Sequence, residues 1–267
     1  MTTELNNKKP LLLGIVNITP DSFSDGGTYS PVEHGLLLAK QGARVLDLGA
    51  ESTRPGAAEV AADVELKRLM PVLTELRKLL PDVPLSVDTR KAAVAEAALA
   101  AGAAWINDVS GGVFDPAVMQ IAARYNAVYI VGHSRGTPAD MLTDKYTEYP
   151  DGVIAHVLDF WHMQAEKALA GGIKAENIIV DPGFGFAKLR ETNMEMAERF
   201  DELVANQPYR ICAGVSRKRF LAPDLPPAAR GGLSSRMEVE LAHKGAAVIR
   251  THDPAGFLKI YVPGGER

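Results

Sequence analysis

Eight short apolar runs in this chain each end on residues that can bind or catalyse. They are Asn17, Asp47 with Glu51, Asp88, Asn107 with Asp108, His133, Asp181, Ser216 with Lys218, and Arg250 with His252. Their types divide by charge. Asp88, Asn107 and Asp181 offer carboxylate and amide groups suited to the donor edge of a flat, guanidine-like heterocycle. Arg54 in "ESTRPG", together with Arg250 and His252, offers cations and N–H donors suited to a phosphate-type leaving group. Lys218 in "VSRKRF" could serve either set. Asn17 and Asp21 supply hard oxygens that could hold Mg²⁺ against a diphosphate, because Mg²⁺ commonly uses one or two protein ligands and completes its shell with phosphate and water. The layout suggests transfer away from a diphosphate. Taken singly, these residues have plainer explanations: Asp88 could cap the following helix, "DPGFGF" (181–186) could be a turn, and His252 with Asp253 could begin a helix. Eight such decorations at the same end of eight runs argue for one shared site.

The elements that must position these residues follow from periodicity. The runs at 11–17, 44–50, 85–89, 105–109, 128–133, 178–183, 210–216 and 248–252 are continuously apolar, as suits parallel strands buried on both faces. Amphipathic, Ala-rich segments such as 65–80 and 90–101 separate them. In the first, Leu66, Leu69, Val72 or Leu73, and Leu76 recur at helical spacing, with Pro71 as a candidate kink. "QGAR", "AGAAW", "AGGIK" and "KGAAV" each place Gly just after a helix, where a left-handed cap suits it. Alternating strands and helices permit a closed (β/α)₈ TIM barrel or an open doubly wound sheet. The count of eight, a length near that of such barrels and the lack of G-x-G-x-x-G after the first strand favour the α/β barrel. It is expected to be a single domain over 1–267, with 1–10 as an N-terminal extension and 131–150 and 221–232 as long βα loops.

Composition bounds the partners. At 267 residues, 46% apolar and 23% charged, with a formal net charge of -4, the chain lacks the basic excess of a general nucleic-acid binder. Small-molecule substrates are the expected partners, with no nucleic acid and no membrane. The apolar run 11–16 is too short for a signal peptide, and nothing else approaches a membrane span. One cysteine, Cys212, excludes an intramolecular disulfide and a CxxC site, fits the cytoplasm, and reads as core of the seventh strand.

Seven segments carry a family resemblance. "GIVNITPDSFSDGG", "LDLGAESTRPG", "LSVDT", "INDVSGG", "VDPGFGF", "GVSRKRF" and "IRTHD" resemble, in order and spacing, the signature segments of the dihydropteroate synthases, over about residues 11–254. The resemblance implies a (β/α)₈ barrel that joins 6-hydroxymethyl-7,8-dihydropterin diphosphate to p-aminobenzoate, releasing diphosphate and forming 7,8-dihydropteroate for folate synthesis, with Mg²⁺. It makes the chain a transferase of a family that sulfonamides target, and a homodimer is expected. By carry-over, Asp88, Asn107 and Asp181 would hold the pterin with Lys218 beside them. Asn17, Arg54, Arg250 and His252 would hold the diphosphate and its metal. Thr53, Pro55 and Arg219 would border the aminobenzoate, between the aromatic walls Phe23 and Phe186. Gly26 and Gly27 would free the "NITPDSFSDGG" loop to close as a lid, bringing Asp21 to the metal.

The chain departs from the family pattern in places. Gly132-His133-Ser134 stands where Met-His-Met is usual, Ala187 replaces a usual Gly, and Pro254 replaces a common β-branched residue. The segment "GGLSSRMEVELAHKG" is more polar than usual, and only fifteen residues follow His252, so a short final helix is expected. Two rivals remain: a methyltetrahydrofolate:corrinoid methyltransferase-like barrel, which would have no use for a diphosphate clamp, and a catalytically weakened pterin binder.

Overall fold

The computed structural model describes residues 9–18 and 30–264. Strands β1 (Leu11–Asn17), β2 (Val45–Gly49), β3 (Leu85–Asp88), β4 (Trp105–Asp108), β5 (Val128–Gly132), β6 (Ile178–Asp181), β7 (Arg210–Ala213) and β8 (Val248–Thr251) pair parallel in chain order, and β8 closes on β1. Between them run α1 (Pro31–Lys40), α2 (Ala62–Leu79), α3 (Ala92–Ala100), α4 (Ala117–Arg124), α5 (Asp144–Thr147), α6 (Val153–Ala170), α7 (Arg190–Glu198), α8 (Phe200–Ala205) and α9 (Gly231–His243). The last helix, α10 (Pro254–Ile260), is short, as expected. The closed barrel excludes the open sheet, which would leave two strands as edges.

Alternation along the strands builds the site. A lower layer of the lumen is filled by Leu13, Val45, Trp105, Ile130, Ile179, Cys212 and Val248, so Cys212 is core. Side chains two residues further along a strand return to the same face. That step leads from Val45 to Asp47, from Trp105 to Asn107, from Ile179 to Asp181 and from Val248 to Arg250. A polar layer therefore sits directly above an apolar floor, at the strands' C-terminal ends. The intervening residues, such as Leu46, Ile106, Val180 and Ile249, face outward into the larger core shared with the helices.

Local chemistry sets the helix ends. Ser30 and Glu33 form a reciprocal capping box at the start of α1. Gly42, Gly102, Gly172 and Gly245 all take left-handed φ, from +96° to +111°, so the four expected caps are present. Helix α2 is continuous through Pro71. Its buried stripe is Glu65, Leu69, Leu73 and Leu76, and both Pro71 and the Lys67 carbonyl it cannot bond are on the exposed side. Among the described residues, no helix is long and apolar enough to cross a membrane.

Candidate active site

Four strand ends meet around one guanidinium. Arg250 Nε donates to Asp47 Oδ2 at 2.6 Å, and its Nη2 donates to Asp88 Oδ2 at 2.7 Å. Asn107 Nδ2 donates to the same Asp47 oxygen at 3.0 Å. Asp47 is fully buried, and its other oxygen has no partner. Burial pushes the Asp88 carboxyl up to about 7, with Asp47 adding to the effect and Arg250 opposing it. The expected separation of carboxylates from cations therefore fails at Arg250. Its β8 position points across the lumen at β2 and β3, where the fully buried Asp47 carboxylate and the half-buried Asp88 carboxylate require a cation.

The "DPGFGF" loop wraps the lysine expected beside the pterin group. Asp181 Oδ1 accepts from Gly183 N at 2.7 Å, which turns the chain sharply after β6. Lys218 Nζ donates to the Phe184 carbonyl and lies 4.5 Å from the centroid of the Phe186 ring. A side chain at Gly185 would crowd the Lys218 stem, its Cβ lying 3.1 Å from Cδ. Burial pushes the Lys218 ammonium down to about 8, Arg250 adding to it while Asp181 and Asp88 oppose.

The loop is buttressed from behind by a residue to which the sequence reading gave no role. Lys188, buried, donates to the carbonyls of Gly183 and Phe186 at 3.1 and 3.0 Å and meets His133 Nδ1 at 2.9 Å. His133 Nε2 continues to His156 Nδ1 at 3.1 Å. His133 thus faces outward against α6 rather than into the mouth, and burial holds its basicity well below the usual range. Gly132 is required here, since a Cβ would lie 2.6 Å from the Val109 backbone. Ala187, where glycine is usual, does take a left-handed φ of 50°.

A second group forms at the β8–β1 seam. His252 N donates to Ser216 Oγ at 3.1 Å, its Nδ1 lies 3.0 Å from the same oxygen, and its Nε2 lies 3.4 Å from the Asn17 amide nitrogen. Thr53 is half-buried while Arg54, Pro55 and Arg219 are exposed. The "ESTRPG" loop is anchored below by Glu51, which accepts from Val60 N at 2.9 Å and from Lys91 Nζ at 2.7 Å. Lys91 in turn pairs with the buried Glu65 of α2 at 2.7 Å. Above, Gly56 N donates to the Pro138 carbonyl of the loop after β5 at 2.7 Å. Asp21, Phe23, Gly26 and Gly27 lie outside the described residues.

Asp47, Ser216 and Lys188 are the site's additions to the residues given roles from sequence. The alternation that exposed Asn107 and Asp181 applies equally to Asp47 in "VLDLG", whereas Lys188 carries no positional signal. The two groups together suit a flat heterocycle over the apolar floor, with an anionic leaving group at the β8–β1 seam.

Comparison with known proteins gives a consistent picture. Residues 13–252 match the model of a family described as pterin binding enzyme. The chain is 38% identical over 254 residues to a dihydropteroate synthase of Bacillus subtilis, covering 92% of this chain and 84% of that one. The fold is similar to a dihydropteroate synthase of Xanthomonas albilineans solved with 4-aminobenzoic acid. The TM-score is 0.84 and the identity 37%, covering 94% of this chain and 90% of that one. A structure of the Xanthomonas albilineans synthase in complex with 7,8-dihydropteroate matches with a TM-score of 0.82 at 34% identity, covering 94% and 91%.

Proposed function

The chain belongs to the dihydropteroate synthase family of pterin-binding enzymes, and from that premise we propose how its own residues carry out the reaction. The substrates are 6-hydroxymethyl-7,8-dihydropterin diphosphate and p-aminobenzoate; the products are 7,8-dihydropteroate and diphosphate. The observation that carries this reading is the polar ring of Asp47, Asp88, Asn107, Asp181, Lys218 and Arg250 above an apolar floor, beside the Asn17–His252 pair.

Asp88, Asn107 and Asp181 hold the pterin's guanidine-like edge, and Asp47 holds Asn107 and Arg250 in position. Asn17, Arg54 and His252 bind the diphosphate. Arg250 stands between the two groups and serves both. The C–O bond to diphosphate breaks, leaving a methylene cation conjugated with the pterin. The aromatic amine captures it, forming the C–N bond and losing one proton. Carboxylates favour the cation while the arginines and His252 N–H favour charge on the departing diphosphate. Binding both substrates over one floor supplies proximity. Thr53, Pro55, Phe186 and Arg219 border the aminobenzoate, and Phe23, outside the described residues, would be its second aromatic wall.

The donor set fits a metal carried by the substrate better than a protein cage. Among the described residues no cluster of three or more His, Cys, Asp or Glu could hold an ion, while Asn17 offers an amide oxygen at the mouth. With Asp21, Asn17 would hold Mg²⁺, which would supply positive charge against the diphosphate as it leaves. The free buried thiol of Cys212 supports a cytoplasmic setting. The assembly we propose is a homodimer pairing through the exposed apolar side chains of α7 and α9.

Diphosphate release from the dihydropterin diphosphate, measured with p-aminobenzoate consumption and with or without Mg²⁺, tests the reaction. Coupled one-to-one turnover that needs Mg²⁺ is expected. Tight pterin binding without dihydropteroate would leave a binding protein instead.

A further inference from the structure

The loop that follows β2 closes on itself through one carboxylate. From 50 to 61 the chain forms neither helix nor strand, and Thr53, Arg54 and Pro55 sit on its half-buried and exposed stretch. Backbone bonds tie it lightly: Ala57 N donates to the Arg54 carbonyl at 3.0 Å, and Gly56 N donates to the Pro138 carbonyl at 2.7 Å. Glu51 adds the stronger tie. Its Oε1 accepts from Val60 N at 2.9 Å, so the start of the loop is stapled to its end. Ends held together in this way fix the shape of a compact surface loop.

The aim of that carboxylate is set from below by Lys91, at the entry to α3. Lys91 Nζ donates at 2.7 Å to Glu51 Oε2 and at 2.7 Å to Glu65 Oε2 in the first turn of α2. All three side chains are buried. One ammonium thus cross-links the β2 loop, α2 and the start of α3, and its loss would leave two carboxylates unpaired in the interior. Arg90 is no substitute. Its Nε lies 3.6 Å from Glu51 Oε2 without a hydrogen-bond partner, and its guanidinium is held over the Phe114 ring, 3.9 Å from the centroid. Burial raises the Glu51 carboxyl, and Lys91, the Val60 N–H and Arg90 together more than offset it, leaving it below the usual range. Glu51 is therefore a charged acceptor at neutral pH.

The pterin side of the same connection does not depend on this ammonium. Asp88 closely precedes Lys91, and Arg250 Nη2 donates to it at 2.7 Å. The backbone between them is fixed by Thr89 N to the Asn107 carbonyl at 3.1 Å, by Lys91 N to Thr89 Oγ1 at 3.3 Å and by Ala92 N to Asp115 Oδ2 at 2.8 Å. None of these bonds uses the Lys91 side chain. We propose that Lys91 is a positioning residue for the aminobenzoate site: through Glu51 it holds closed the loop that carries Thr53 and Pro55. The proposal rests on the reading of those two residues as borders of the aminobenzoate. It separates the two substrates, because loss of the clamp frees one border and leaves the pterin carboxylates in place.

The test uses the full chain and two variants. Lys91→Met keeps the stem and removes the charge, and Lys91→Met combined with Glu65→Gln also removes one of the carboxylate charges left behind. Should the single variant not fold, the charge-balanced double variant carries the test. Steady-state kinetics at saturating dihydropterin diphosphate gives KM for p-aminobenzoate, and calorimetry gives the affinity for the bare 6-hydroxymethyl-7,8-dihydropterin. Hydrogen exchange read by mass spectrometry, without ligand, compares residues 51–60 with residues 105–112. In both variants KM for p-aminobenzoate is expected to rise about tenfold, the worth of one hydrogen bond to a charged group, with a smaller fall in kcat and the bare pterin affinity kept. Residues 51–60 should exchange faster while 105–112 exchange as in wild type. An unchanged KM overturns the proposal. So does a pterin affinity that falls in step with KM, or a double variant that does not fold, since Lys91 would then be a residue of the fold as a whole. A raised KM with unchanged exchange at 51–60 overturns the route through Glu51. A wild-type chain that consumes no p-aminobenzoate would sink the functional reading, and the ligand-free exchange would still decide the clamp.

Discussion

Arg250 carries two carboxylates on one guanidinium, and this arrangement decides what its removal does. Arg250→Ala would leave the buried Asp47 and the half-buried Asp88 close and uncompensated. Breaking a buried pair by removing one partner costs roughly 3–5 kcal/mol, so a lower stability in urea is expected. A pure diphosphate ligand would lose diphosphate affinity and spare the bare pterin. Here calorimetry should find both weakened by comparable factors, and a selective loss of diphosphate binding would restore the clean division by charge. The sign of the pH effect follows too. Because Asp88 is lifted from 3.8 to about 7, the folded chain holds more protons than the unfolded one in that window, and stability falls as pH rises through it. The individual chemical groups were legible from their places at strand ends. Which carboxylates share Arg250 was not, because that depends on how β2, β3 and β8 face one another across a lumen.

At the level of elements, punctuation proved more legible than continuity. All four glycine stops fell where a left-handed residue was required, since backbone sterics act locally. Pro71 was the opposite case: a proline on the watery side of a helix whose other face is buried does not end it, because packing of Leu69, Leu73 and Leu76 outweighs one missing hydrogen bond. The outer faces of α7 and α9 present a further feature. Met194 and Leu233 are 38% and 39% exposed, and they line one groove with Leu221 and Met237, edged by Arg190 and Glu240. Apolar side chains rimmed by charge suit a symmetric contact. Leu233→Asp is therefore expected to convert a dimer into a monomer in sedimentation velocity at micromolar concentration, without loss of helical signal. A wild-type chain that is monomeric there, or a variant that remains dimeric, would remove this face as the interface.

For the whole molecule, the closed barrel was legible because eight buried runs and their stops recur with one cadence, and closure is the arrangement that leaves no edge. The distribution of charge over that barrel was less so, since a net charge of -4 says nothing about where cations gather. The fold brings Arg54, Arg217, Lys218, Arg219 and Arg250 to loops and strand ends at one mouth of an otherwise acidic chain, with Arg54, Arg217 and Arg219 exposed. A cationic rim on an acidic body draws a multiply charged anion inward and does little for a singly charged one. Raising ionic strength from about 0.1 M to about 1 M shortens the screening length from about 10 Å to about 3 Å, which leaves contacts inside the mouth largely intact and removes the attraction beyond it. At saturating Mg²⁺, kcat/KM for the dihydropterin diphosphate should therefore fall severalfold over that range while kcat holds. The same parameter for p-aminobenzoate should change much less. Equal salt dependence for the two substrates would mean that the rim does not steer the diphosphate, and that the exposed arginines act only after it has arrived.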